Sequence, residues 1–508
     1  MQLYYIVRTM RWILPLLFLL PPGCASEPER PLRAGAAAVV ITPTVEPIED
    51  LNGNNRWDEG EPFEDINGDG EYTPVWIGGF GSNRPALGVH DDLWARVLVL
   101  EKGDERIGIA SLDWVGLMHD HCLQFADAAE EAGLDLDQLV VSSAHDHEAP
   151  DTMGLWGPEE TTGRDDDYIA WAREQTVSAL EEAVENLEPV RVWGGLGKTE
   201  GLTHDSRDPQ VKHEQVTALR FDKADGSGTV AVVVHWSNHP EVLGGSNQQI
   251  TADFPCSLVA TLEEAVPGAV GIYWQGMVGG LMNPLNVDVY DEQGRRLDNS
   301  TFEKSQRMGE IVAETALEAL ENGEDVNADE RFVFRRRFFL VPVDNVIVTM
   351  GVVGGIIWRV PYDEHGRAHD TEEALAINLH LRTQVTVIDM GEVQIATVPG
   401  ELYPELALLG PDGEALTQNP QDPGADFYGT PCEEPIYRFM RETPYRIIIG
   451  LANDEVGYII PKCQWDVAEP YTYGDDEAPY GESVSPGPEM APILNQVLAE
   501  ELTALNES

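Results

Sequence analysis

Leu139-Val140-Val141-Ser142-Ser143-Ala144-His145-Asp146-His147-Glu148 joins a β-branched apolar run to a polar turn. A run of this kind reads as a buried strand that delivers its carboxyl end to a site. Two histidines at i and i+2 in extended chain point to the same side, so both imidazoles can face one ligand. Histidine is also the commonest neutral nitrogen ligand of zinc. The stretch sets two expectations: a sheet with buried strands, and a metal site where this strand ends.

Outward from it, strand-like and helix-like runs alternate. Strands are predicted over 95–100, 107–112, 138–143, 190–195, 229–236, 269–274, 331–341 and 384–397. Helices are predicted over 121–132, 166–186, 301–321 and 490–505. In the third of these, Met308, Ile311, Val312 and Leu317 recur at helical spacing between glutamates, the pattern of amphipathic packing on a core. Mixed order, with some strands adjacent, predicts one layered α/β domain with a mixed sheet over 35–508 rather than a doubly wound one. There is no internal repeat. The Pro/Gly/Asp-rich loops at 405–435 and 464–490 suit the rims of a site.

The 508 residues carry 89 acidic side chains and a net charge of −57, with only Lys102, Lys198, Lys212, Lys223, Lys304 and Lys462 as lysines. Such a surface repels nucleic acid and anionic membrane, and no protein partner is evident. Residues 1–23 read as an export signal: Arg8 and Arg11 precede the apolar run 12–20, which is too short to span a bilayer. Pro21-Pro22-Gly23-Cys24 resembles a bacterial lipobox, so Cys24 is the expected lipidation site and 24–34 a tether. The expected location is the bacterial cell envelope, membrane-anchored through that lipid, with simple release as the alternative. Cys122, Cys256, Cys432 and Cys463 remain; Cys432 and Cys463, flanking one C-terminal stretch, are the favoured disulfide. No CxxC spacing occurs, which argues against a cysteine zinc site.

Asp50, Asn52, Asn54, Asp58 and Glu61 stand at positions 1, 3, 5, 9 and 12 of a calcium-loop spacing, with the backbone of Arg56 at 7. Asp65, Asn67 and Asp69 repeat the opening, and Gly70 supplies the glycine that Asn55 replaces in the first copy. No helices flank the stretch 50–73, so it reads as a structural calcium loop rather than a sensor.

Four further places pair a strand end with a reactive side chain: His235-Trp-Ser-Asn238-His239-Pro240, Pro399-Gly400-Glu401, Asn453-Asp-Glu-Val-Gly-Tyr458, and Thr251-Ala-Asp253. Each alone suits a structural role, as a core histidine, a capping carboxylate or a buried tyrosine. In this order, with Ala34-Gly-Ala-Ala, Ile41-Thr-Pro, Gly78-Gly79-Phe80-Gly81, His90-Asp91-Asp92, Ser111-Leu-Asp113 and Gln275-Gly276, they resemble the catalytic domain of the neutral (alkaline, non-lysosomal) ceramidases. The resemblance spans roughly residues 34–506.

The resemblance implies a zinc held by His145, His239, Glu401 and Tyr458, with His147 beside it touching the scissile amide. It places an arginine at Arg207 and a second tyrosine at Tyr480, which would stabilise the oxyanion. Amide hydrolysis fits such a set, because zinc polarises a carbonyl and acidifies water while His147 shuttles the proton. The implied substrate is ceramide or a related N-acyl lipid. Two departures stand out. Residues 279–284 lack the serine proposed as nucleophile in some members, which favours water, and the chain stops at Ser508 where members continue into a β-sandwich. Rival readings are a zinc hydrolase of another amide or ester, a metallophosphoesterase built on Asp113, Asn238 and the His-x-His, and a non-catalytic calcium-stabilised surface lipoprotein.

Overall fold

The computed structural model describes residues 31–508, apart from 55–57, 69, 159–160 and 419–420. The export signal, Cys24 and Asp69 therefore lie outside the described residues. Eight strands form the path of the main sheet: β1 (Arg33–Val40), β2 (Trp94–Lys102), β3 (Glu105–Leu112), β4 (Gln138–Ser143), β5 (Glu188–Lys198), β6 (Gln215–Lys223), β7 (Thr229–Trp236) and β8 (Val270–Gln275). Their spatial order is β8-β7-β6-β5-β1-β2-β3-β4, and Glu324–Asp325 adds a ninth member against β5. Only the outermost pairs, β3–β4 and β7–β8, are parallel. The sheet is mixed, as the sequence predicts.

Strand alternation then sorts the side chains. On β2, Val97 and Val99 face Phe125 and Leu180 of the helices α1 (His119–Glu131) and α2 (Asp166–Glu185), while Leu98 and Leu100 face the opposite way. On β7, Val232 and Val234 face α3 (Phe254–Ala265) and α4 (Phe302–Glu321). The other face of the sheet packs on a second sheet, ordered β9 (Phe332–Pro342), β10 (His380–Met390), β11 (Val393–Thr397), β12 (Tyr445–Ile449). Helix α6 (Met490–Glu507) covers the far side of that sheet. Between β9 and β10 lies a short apolar helix, α5 (Val346–Val353). The result is four layers: helices, sheet, sheet, helix.

The main sheet curls until its two edges meet. Ser111 Oγ of β3 donates to Tyr273 O of β8 at 2.6 Å, although these strands stand near opposite ends of the strand order. The carboxyl ends of β4, β7 and β8 are thereby brought together. That convergence builds the site.

Two sequence expectations need correction, and one helix has no counterpart among them. The run 384–397 is two strands, because Gly391 takes φ 58° and turns the chain between β10 and β11. The first strand begins at Arg33, inside the expected tether, since Leu32 and Ala34 are buried in the core. Helix α3 is not among the predicted helices; its Pro255 sits in the first turn, where a missing N–H costs nothing. The Cys432–Cys463 disulfide is present, with a Cα separation of 5.2 Å, and Cys122 is a buried free thiol. Among the described residues, no helix is long and apolar enough to cross a membrane.

Candidate metal centre and cavity

His145 follows β4 and is held by the chain end after β12. Asn453 N donates to Val141 O at 2.6 Å, and Asn453 Oδ1 accepts from Val141 N at 3.0 Å. His145 itself takes φ 64°, so the His-x-His is not extended as its spacing suggests. Both rings still face one point, their centroids 4.7 Å apart. Positive φ recurs nearby at Asp253, Leu281, Leu451 and Asn453, a concentration of costly backbone that a packed surrounding must enforce.

Two of the histidines are aimed by backbone carbonyls. His145 Nδ1 donates to Val115 O, and His239 Nδ1 donates to Met282 O, each at 2.6 Å. A carbonyl only accepts, so in the neutral rings the proton is fixed on Nδ1 and the Nε2 lone pair points inward. Those lone pairs meet Glu401 Oε2 at 3.4 Å and 3.1 Å. Three acceptors converging in a buried place repel one another unless a proton or a cation sits among them. The donor set fits zinc. Tyr458 is the direct register partner of Glu401 in a short parallel ladder, so both side chains leave the same side of it. Burial sets the Tyr458 phenol well above its ordinary range, and the Glu401 charge adds to this. Burial would raise Glu401 too, but His145 and His239 hold it down at about 2. Burial likewise depresses His239, and its bond to Glu401 with the Glu241 charge overcomes this and lifts it.

His147 differs from the other two. Its Nε2 lies 3.3 Å from His145 Nε2, but its buried Nδ1 has no hydrogen bond and stands 3.6 Å from Glu241 Oε2. Burial, then the charges of His145 and His239, set its pKa well below the usual value, so the ring is neutral. Gly79, at φ 84°, lies flat against it, and a Cβ there would come within 2.2 Å of Nδ1. Among the described residues, His145, His147 and His239 form a metal-competent group with ligand atoms within 4.8 Å of one another.

Gln275, at the end of β8, braces the histidine-bearing turns. Its Nε2 donates to Ala144 O at 2.7 Å and to Asn238 O at 2.8 Å, the residues directly before His145 and His239. Its Oε1 accepts from Tyr273 Oη at 2.7 Å, which fixes the amide orientation.

The centre lies in a cavity of about 600 Å³. Phe80, Met118, Met153, Leu155, Trp156, Leu281 and Ile357 supply an apolar wall. His145, His147, His239, Glu401 and Tyr458 supply the polar end, and Tyr480 reaches it from the exposed rim, its ring 6.1 Å from that of Tyr458. Arg207 is not part of this lining. Its guanidinium is held bidentately by Glu482 at 2.8 Å and 2.8 Å, with Gln464 O at 3.0 Å, and so anchors the segment that carries Tyr480. The structure thus places Arg207, expected at the oxyanion, outside this lining and in a bracing position.

Sequence reading misses Glu241, Glu455 and Ser206, all of which line the cavity. Burial pushes Glu241 up to about 7 against the opposing His239, and pushes Glu455 well above the carboxylate range, with Glu401 reinforcing it. Glu241 stands two places after His239, a proximity that a search for acids near each ligand would catch. The phosphoesterase pieces do not assemble. Asp113 accepts from Trp94 N at 2.8 Å and Asn238 donates to Leu202 O at 3.0 Å, and neither lines the cavity. Asp253 caps α3. On the 50–73 loop, Asp50 accepts from Gly53 N, Glu61 from Leu51 N and Asp65 from Gly68 N.

Fold and site together define a layered α/β protein with a buried, metal-competent histidine–carboxylate centre. Its architecture is shared with neutral ceramidase from Pseudomonas aeruginosa, at a TM-score of 0.63 and 15% identity, over 94% of this chain and 75% of that one. A ceramidase complexed with C2 is similar at a TM-score of 0.64 and 16% identity, over 94% of this chain and 76% of its own. The chain has the neutral ceramidase fold. No family model and no curated protein sequence matches it.

Proposed function

We propose that the chain is a zinc-dependent amidohydrolase that cleaves the N-acyl amide of ceramide or a related N-acyl lipid. The observation that carries this reading is the convergence of His145 Nε2, His239 Nε2 and Glu401 Oε2 at the polar end of an apolar cavity. His145, His239, Glu401 and Tyr458 would hold the zinc, which when bound supplies Lewis acidity to the acyl carbonyl and acidifies water. The apolar wall takes the acyl chain and excludes bulk water. His147, neutral and unpartnered at Nδ1, takes a proton at Nε2 and returns it to the leaving amine, with Glu241 receiving the Nδ1 proton's hydrogen bond as the ring charges. With Arg207 engaged by Glu482, the Tyr480 hydroxyl is the donor left at the rim for the developing oxyanion. The 50–73 loop is proposed to hold calcium as a structural ion, and the Cys24 lipid to tether the domain to the envelope membrane.

The decisive experiment measures fatty-acid release from a short-chain fluorescent ceramide by chelator-treated protein, before and after zinc is restored. Release that returns with zinc supports the reading. No release with one zinc bound per chain would shift the substrate to another acyl amide or ester.

Gln275→Leu keeps the size of the side chain and removes both donors. Outer partners of this kind are worth roughly 10–100-fold in metal affinity. A loss of that order is expected in competition with a chelating dye. An unchanged affinity would show that the strand ends hold the histidines without the amide.

A further inference from the structure

We propose that the outer face of α5, together with the cavity mouth it forms, docks on a neutral or zwitterionic lipid surface from which substrate enters. The proposal rests on the N-acyl lipid reading of the cavity. Helix α5 reads Val346-Ile347-Val348-Thr349-Met350-Gly351-Val352-Val353, apolar except for Thr349, whose hydroxyl turns back to donate to Asn345 O at 3.0 Å. A helix apolar all round is normally enclosed. Here only Val352 is buried, while Val346 is 69%, Ile347 63% and Met350 52% exposed. Leu375, on the turn packed against α5, and Tyr480, on the rim, are equally open. A contiguous exposed apolar face of this kind marks an interaction surface.

Two observations say what covers it. The first is continuity with the cavity. Ile347 and Tyr480 line the cavity and also a neighbouring groove of about 630 Å³, bordered on its outer side by Val346 and Val467. Whatever lies on this face lies at the entrance. The second is charge. Asp344 and Glu477 border the groove, and the two arginines between 343 and 379, Arg359 and Arg367, are taken by Asp454 and Asp363. Among the described residues that line the groove there is no lysine or arginine to hold anionic headgroups, so attachment falls to apolar insertion. The net charge of −57 opposes a second copy of the chain on the same face.

The test compares the parent with Val346→Ser/Met350→Ser, both carrying Cys24→Ser so that no acyl anchor contributes. Neither substituted side chain lines the cavity. Flotation with phosphatidylcholine vesicles is measured first. Hydrolysis of a short-chain N-acyl lipid is then compared for monomers in solution and for vesicles. The parent is expected to float, and the variant to lose about tenfold or more of vesicle association and vesicle hydrolysis. Hydrolysis of the monomer should stay within about twofold, as for surface substitutions generally. Phosphatidylserine vesicles should capture less of the parent. A parent that does not float, or a variant that floats equally, overturns the proposal. So does a parent dimer in sedimentation velocity that the variant dissolves, since a second copy would then cover the face. A parent that floats yet hydrolyses neither form leaves the docking surface standing and removes the amidohydrolase reading instead.

Discussion

His145→Ala is expected to abolish zinc retention and lower amide hydrolysis by at least roughly a thousandfold, a metal's Lewis acidity being worth several kcal/mol of barrier and each ~1.4 kcal/mol a factor of ten. Within the centre, the ring is one of two whose Nδ1 is locked on a backbone carbonyl, so no neighbouring histidine can replace it. His147 stands close, but its Nδ1 lacks that anchor. The fold should survive. The substitution leaves Val115 O without its donor, a loss of about 1–3 kcal/mol against a typical stability of ~5–15 kcal/mol. Glu401→Gln is the companion variant: it keeps the shape, removes the charge that faces both Nε2 atoms, and should also lose zinc. Bound zinc measured by elemental analysis, with turnover on the same sample, checks both. Turnover at the parent's level with zinc gone would end the metal assignment.

How far the sequence discloses this site depends on the distance over which each contact reaches. The strand before His145 is legible because its apolar run and polar turn are local. The facing of His145 and His147 is read correctly for a reason that does not hold, since His145 leaves the extended region at φ 64° and the shared direction comes from the turn. His239, Glu401 and Tyr458 carry no local signal that separates a ligand from a core residue, and only their order along the chain points to them. Arg207 shows the limit most clearly. Nothing near it in sequence reveals that Glu482, 275 positions away, holds its guanidinium. The same holds for Gln275, whose bond to Ala144 exists only because the sheet curls edge to edge. Helix α5 fails for another reason: its valines, isoleucine and glycine have strand and turn propensities, which the Asn345 cap and the packing of Val348 and Val352 override.

Arg359→Met is expected to destabilise the protein more than any surface change, by about 3–5 kcal/mol, the usual cost of breaking a buried ion pair from one side. Arg359 and Asp454 are both buried, and the guanidinium meets both carboxylate oxygens, with Nη1 to Oδ2 at 3.0 Å. Its Nη2 also donates to Glu455 O at 2.9 Å. Asp454 in turn accepts from His119 N at 2.9 Å and Glu455 N at 2.9 Å, so one carboxylate ties α1 to the segment that presents Tyr458. Methionine fills much of the volume but leaves that carboxylate buried without a counter-charge. Lys198→Met is the contrast. Its pairs with Glu200 and Glu214 sit at the surface, where such bridges are worth roughly 0–1 kcal/mol, so the melting temperature should barely move. Thermal unfolding of the two variants beside the parent decides the point, and equal midpoints would mean that the buried pair contributes no more than an exposed one. The double variant Arg359→Met/Asp454→Leu separates the causes. If the penalty is the stranded charge, removing Asp454 as well recovers part of the loss, and the double variant melts above Arg359→Met alone. If instead the penalty is the lost tie between α1 and the Tyr458 segment, the double variant melts no higher, because His119 N and Glu455 N then lose their acceptor too.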